Sequence, residues 1–243
     1  MRRLVFLLFA IFSFNLIYSQ AAIPYQIGET AKYNIYFGPV AVGYASLTVK
    51  KTINIKGKKT YHIIGEGRTV TFFDWFFKVR DRYETYIDTE TLLPVRFERN
   101  VYEGGYEINQ SYRYIHDQNI VLTKDSIYQI QDESQDMLSA FFYARTLDKK
   151  IIQDNKTFYI PIFMDEENYI LEVEYLYNEL IKSKTGEIKC MVFKPKMQEG
   201  RVFQDGEKMK IWISDDSRHL LIKVETHIWA GVIKAELSDY KEK

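Results

Sequence analysis

The side chains that could do chemistry in this chain are few and widely spaced. Its histidines, His62, His116, His219 and His227, fall neither at the i, i+4 spacing that brings two imidazoles to one helical face nor at the i, i+2 spacing of one strand face, so they predict no zinc site. A single cysteine, Cys190, permits no internal disulfide. It alternates in phase with Ile188 and Val192 and has no histidine close in sequence to take its proton, which predicts a small buried residue rather than a nucleophile. Acidic residues are the remaining candidates. Asp74, Asp81 and Glu84 bracket an aromatic run, and two carboxylates about 5–9 Å apart can hydrolyse a glycosidic bond. On an alternating strand, however, Asp81 points with Tyr83 and Thr85 to one side and Glu84 with Arg82 and Tyr86 to the other. The expectation is a solvated face with opposite charges across strands, while Asp88 and Asp215-Asp216 read as turn residues that bond their own backbone. There is no G-x-S-x-G elbow, phosphate loop or dinucleotide glycine pattern, so the sequence predicts no catalytic residue and no cofactor, and a carboxylate hydrolase of envelope polymer is the least favoured reading.

The elements that must position these residues are strands. Of 243 residues 46% are hydrophobic, enough for a packed core, and 19 Tyr and 16 Phe against 5 Pro and 12 Gly favour a pleated, half-buried surface over loops. Without Arg2 and Arg3, which fall in an export segment, 31 basic residues face 33 acidic ones, a balance that excludes the basic surface a nucleic-acid binder needs.

That export segment has three parts: Arg2 and Arg3, an apolar stretch Leu4 to Ile17, and a small, polar exit Tyr18-Ser19-Gln20-Ala21. The apolar stretch is shorter than the ~20 residues of a comfortable membrane span, so cleavage is expected, with no transmembrane span in the mature chain. No cysteine follows it, so a lipid anchor is not expected. The domain reading is a signal peptide over 1–21 and one all-β domain over 22–243, exported to the periplasm or beyond.

After the signal, alternation is nearly continuous. Tyr33, Ile35 and Phe37 share one face, as do Ala45, Leu47 and Val49. Charged, glycine-centred turns at Asn54 to Lys59, at Thr185-Gly186, around Gly200 and around Asp205-Gly206 predict long hairpins. Ser134 to Thr146 predicts one amphipathic helix, capped by Ser134, whose stripe of Met137, Leu138, Phe141 and Phe142 must be buried on the concave face of a curved sheet. The segment Tyr86 to Glu98 is echoed by Trp212 to Glu225, each a strand, an acidic turn and a strand, which predicts a pseudo-duplicated sheet. The fold class is therefore mainly β: a curved antiparallel sheet or open barrel of long hairpins with a central helix.

One run breaks the alternation. Phe72-Phe73-Asp74-Trp75-Phe76-Phe77 is too densely aromatic for a half-buried strand and predicts a short helical turn, either a wedge closing one end of the core or an exposed, sticky lip. Together with Met137, Phe141 and Phe142, the aromatics Phe72, Phe73, Trp75, Phe76 and Phe77 are the candidate ligand-binding residues, lining a dry pocket for a lipid or other apolar small molecule.

Five stretches in order resemble the bacterial envelope proteins grouped as domain of unknown function 3108. They are Gly28 to Tyr33, Gly43 to Val49, Asp81 to Asp88 with Leu93-Pro94-Val95, Asp136 to Arg145, and Gly231 to Leu237. The resemblance spans about residues 25 to 240 and implies an exported β protein without recognised catalytic residues. At the level of architecture the chain is also similar to the periplasmic lipoprotein carriers, in which a curved sheet wraps a helical plug and holds acyl chains. The function expected is a non-enzymatic binding or envelope-biogenesis factor for an apolar ligand. The alternative is a scaffolding module that binds an envelope protein through a sheet edge or aromatic patch.

Overall fold

A computed structural model describes residues 23–183, 186–196, 209–228 and 230–242. The signal segment and the turns expected at Thr185, Gly200 and Asp205-Gly206 lie outside them. The chain forms β1 (Thr30–Phe37), β2 (Val40–Ile55), β3 (Lys58–Thr69), β4 (Val79–Asp88), β5 (Pro94–Glu103), β6 (Tyr106–Ile115), and the short β7 (Ile120–Leu122) and β8 (Ile127–Gln129). Two helices follow, α1 (Met137–Ala144) and α2 (Lys149–Asn155). Then come β9 (Thr157–Met164), β10 (Glu167–Ser183), β11 (Gly186–Lys196), β12 (Lys210–Ser214), β13 (Leu221–Ile228) and β14 (Gly231–Lys241).

All these strands belong to one antiparallel sheet in the order β8-β7-β6-β5-β4-β3-β2-β1-β14-β13-β12-β11-β10-β9. The order is two six-strand meanders laid in tandem. Strands β1–β6 have 8, 16, 12, 10, 10 and 10 residues, and β9–β14 have 8, 17, 11, 5, 8 and 11. The long second strand of each is bulged, between Val49 and Lys51 and between Tyr175 and Tyr177. The sequence echo falls on equivalent corners, β4 to β5 and β12 to β13, and the meanders join where β1 pairs with β14.

The sheet curls but its edges, β8 and β9, do not pair. The segment after β8 bridges them: Gln135 N donates to Pro161 O (2.8 Å) and Phe163 N donates to Gln135 O (2.9 Å). Asn168 Nδ2 donates to Gln129 O (2.8 Å) across the same gap. An exposed edge invites pairing with another chain, and this bridge covers part of it.

The helix differs from expectation at both ends. Asp136, not Ser134, caps α1, accepting from Leu138 N and Ser139 N (both 2.8 Å) while Ser139 Oγ accepts from Asp136 N. This reciprocal box outcompetes Ser134 because Gln135 is held extended against β9. The helix ends at Ala144, and a second, unanticipated helix α2 starts at its own cap, Asp148. Burial on α1 is not a single stripe. Leu138 and Phe142 pack with Tyr25, Val49, Ile63 and Ile87, and Ala140 packs with Ile160 and Ile162, because the helix lies inside the curl and meets strands from both halves. Burying a side chain such as Phe142 contributes about 1.5–3 kcal/mol. We call the end carrying the β1–β2, β3–β4, β5–β6 and β13–β14 connections the upper end. Arg145, just past α1, meets Glu29 at the foot of β1, so the helix fills the lower part of the curl.

Candidate functional site: an aromatic lip beside a polar groove

Strand register sets two parallel rows of polar side chains on one sheet face. Asn34, Tyr44, Arg68, Arg80, Tyr102 and Glu107 pair successively across β1 to β6, and Lys32, Ser46, Glu66, Arg82, Asn100 and Asn109 do so two residues away. Together they line a groove of about 940 Å³. The groove is not an apolar pocket, and none of the expected ligand-binding residues lines it. Arg82 bridges Glu66 and Glu84 (Nε to Oε1 of Glu84, 2.7 Å), and Lys32 pairs with Asp239 (3.0 Å). Arg80 is bound to Asp74 (2.5 Å). Arg68, directly opposite Arg80, has no such partner among the described residues, although like charges across a strand pair repel.

At the upper end of the groove stands the aromatic run. Thr71–Phe73 is a single 3-10 turn, continued by bonds from Phe76 N and Phe77 N to Phe73 O (3.0 and 2.9 Å). Asp74 anchors it, accepting from Thr69 Oγ1 (2.6 Å) and from Arg80, whose guanidinium holds the carboxyl below the usual range. Phe77 lies against Gly104 of the β5–β6 hairpin. On this fixed turn Phe72, Trp75, Phe76 and Phe77 are 74, 81, 77 and 49% exposed. Phe73 is half-buried, edge-on to Phe72, and the other four aromatics stand in solvent, so the run is a lip and not a wedge into the core.

The helix residues are elsewhere. Phe142 is fully buried edge-on to Tyr25 and Phe141, Phe141 is half-buried between two core clusters, and Met137 is partly exposed. Phe141 and Phe142 pack in the lower core, Met137 stands partly in solvent at the start of α1, and none of the three joins the lip in lining one pocket, because a plug inside a curled sheet has neighbours on several sides.

The candidate acids separate as their strand phase requires. Asp81 lies in the row of Tyr33, Ala45, Gly67 and Val101, between the two groove rows. Burial and then the nearby Glu103 carboxylate push it up to about 7. Glu84 sits on the groove face beside His62, whose Nε2 is 2.5 Å from its Oε2, and His62 stacks on Tyr86 with centroids 4.5 Å apart. Burial would raise Glu84, but the bonds from Arg82 and His62 outweigh it and its acidity is increased. Cys190 is fully buried and its thiol is pushed up to about 12, chiefly by burial. Among the described residues no three potential metal ligands cluster. Sequence reasoning missed the groove. Its signal was an i, i+2 polar pair on each of six successive strands, but their alignment depends on register shifts at Ile35/Tyr36 and on the meander order.

These features define an open, barrel-like antiparallel β protein with a helical plug. The chain belongs to a family of proteins of unknown function, DUF3108, whose profile matches residues 32–238. No curated protein matches it. Among solved structures it is similar to a β-barrel-like protein of domain of unknown function DUF1849 from Brucella abortus, with a TM-score of 0.57 and 8% identity over 90% of this chain and 99% of that one. Two weaker likenesses are a protein from Bacteroides fragilis NCTC 9343 described as exported with a YmcC-like fold, and one from Parabacteroides distasonis ATCC 8503 described as a lipoprotein. The first has a TM-score of 0.34 and 9% identity over 90% of this chain and 98% of that one. The second has 0.36 and 13% over 90% and 97%. Among the described residues no helix is long and apolar enough to cross a membrane.

Proposed function

We propose that the chain is an exported, non-enzymatic binding protein of the cell envelope that meets a lipid surface through the lip Phe72, Phe73, Trp75, Phe76 and Phe77. The observation that carries this reading is the 74–81% exposure of Phe72, Trp75 and Phe76 on a turn fixed by Asp74. Large aromatics held in water on a rigid support lose about 25 cal/mol for every Å² of apolar surface left uncovered, so an apolar phase is their natural counterpart. Trp and Phe flanked by Lys78 and Arg80 match the composition of segments that lie in a membrane interface. The N-terminal segment supports export. In this reading Met137, Phe141 and Phe142 stiffen the barrel and the lip alone touches lipid.

Flotation with vesicles of phosphatidylethanolamine and phosphatidylglycerol tests the proposal. The wild-type chain is expected to float and the Phe72→Ser/Trp75→Ser/Phe76→Ser variant to stay in the dense fraction. Equal flotation of the two would overturn it. Recognition of an envelope protein partner is the second reading, favoured by Tyr159 (62% exposed) on the edge strand β9, next to a cleft of about 340 Å³ against α2. Strand addition at that edge predicts a co-purifying protein and no lipid.

A further inference from the structure

The polar groove has its own chemistry, independent of the lip. Across β1 to β6 it extends about 24 Å at ~4.8 Å per strand, a long shallow shape suited to an extended ligand. Few aliphatic side chains line it, so burial of an apolar molecule there would gain little. Its uncommitted groups are those of a sugar site. The side-chain amides of Asn100 and Asn109, opposite one another on β5 and β6, have no hydrogen-bond partner among the described residues, and each offers two donors and an acceptor, the set that adjacent hydroxyls require. Tyr44, 47% exposed, presents its ring and hydroxyl on this row, while Tyr102 beside it has Lys78 Nζ over its ring, 5.4 Å from the centroid. An exposed ring such as that of Tyr44 receives the C–H side of a pyranose while its hydroxyl remains available for hydrogen bonds.

Charge narrows the class. Lys32, Arg80 and Arg82 are each engaged by an acid of this chain, which leaves Arg68 as the one lining cation without an acidic partner among the described residues. It is half-buried and directly opposite another arginine, an arrangement that an incoming anion would relieve. A single free guanidinium matches a carboxylate or phosphate bidentately. A nucleic acid or other polyanion would need a row of free cations, and Glu66 and Glu107 stand in the same groove. From this geometry we infer that the groove binds an oligosaccharide carrying an isolated anionic group, with Arg68 as the anion's partner and Asn100 and Asn109 bonding hydroxyls.

The test uses the full exported chain on an array of neutral, uronic-acid-bearing and phosphate-bearing bacterial oligosaccharides, with the best acidic trisaccharide then titrated calorimetrically. Acidic glycans of one kind or both are expected to bind, and the two acidic arms tell carboxylate from phosphate. Arg68→Gln is expected to weaken binding at least ten-fold, and Asn100→Ala/Asn109→Ala by a similar factor. Among the described residues these side chains bond no other part of the fold, so circular dichroism should be unchanged. The lip variant Phe72→Ser/Trp75→Ser/Phe76→Ser should retain glycan binding, which separates this inference from the lipid reading. Absence of binding to every acidic glycan, equal binding of neutral ones, or wild-type affinity in Arg68→Gln would overturn it.

Discussion

Arg145 and Glu29, 116 residues apart in sequence, form an ion pair of 2.7 Å with side chains 3% and 5% exposed. The same guanidinium donates to Pro24 O (2.9 Å) and Arg218 O (2.9 Å) and packs against the rings of both Tyr25 and Phe142. It ties the end of α1 to the N-terminal segment and to the β12–β13 turn. Replacing Arg145 with Met leaves a buried carboxylate and two carbonyls unpaired, and a loss of about 3–5 kcal/mol is expected. Adding Glu29→Leu should recover part of that loss, since the stranded charge is gone. Urea denaturation of wild type, single and double variants measures both; a double variant no more stable than Arg145→Met would contradict the pairing.

Asp136 predicts a pH dependence. Burial raises it from 3.8 to about 6, against the bonds from Thr85 and the backbone of Ser139 and Leu138. Between those two values the folded chain holds a proton that the unfolded chain has released, so stability falls as pH rises from about 4 to 6 and is level above. Asp81, with its pKa near 7, adds a slope of the same sign that continues higher. Asp136→Asn retains a good N-cap and removes one titration. Its stability difference from wild type should therefore shift in its favour across pH 4 to 6. A difference constant with pH would show that Asp136 does not titrate there.

Cys190 should behave as a core residue. Iodoacetamide at pH 8 is expected to label the folded chain only at the rate of unfolding, because the thiol is buried and weakly acidic. Cys190→Ser should destabilise by about 1–3 kcal/mol through burial of a hydroxyl. Rapid labelling of the native chain would place the thiol at the surface.

Gly104 and Gly105 separate backbone strain from support of the lip. Both have positive φ, +58° and +97°, but a Cβ on Gly104 would come within 2.4 Å of Phe77 whereas one on Gly105 meets nothing within 4 Å. Alanine at either position should cost about 1–2 kcal/mol of stability. Only Gly104→Ala should also displace Phe77 and weaken vesicle binding. Equal vesicle binding by the two variants would show that the hairpin does not seat the lip.

Much of the fold was legible because strand alternation is local. Tyr33-Ile35-Phe37, the Lys56-Gly57 turn and the Tyr86/Trp212 echo each read directly onto β1, the β2–β3 hairpin and the paired corners. The start of α1 was ambiguous because Ser134 and Asp136 are both good caps, and only the extended bridge at Gln135 decides between them. Helix α2 has one fully buried residue, Ile152, so it carries almost no periodic signal. The aromatic run was recognisable as exceptional, but its exposure depends on Asp74 being held by Thr69 and Arg80. The groove and the Arg145–Glu29 pair are products of strand order and register, which no single stretch of sequence contains.

The central claim, that the lip enters a lipid surface, is tested most directly at Trp75. The emission of the wild-type chain minus that of Trp75→Phe, recorded with and without phosphatidylethanolamine and phosphatidylglycerol vesicles, isolates this one indole from Trp212 and Trp229. A solvent-exposed spectrum that shifts to shorter wavelength when vesicles are added is the predicted result. A difference spectrum unchanged by vesicles, at concentrations where the chain floats with them, would contradict the claim.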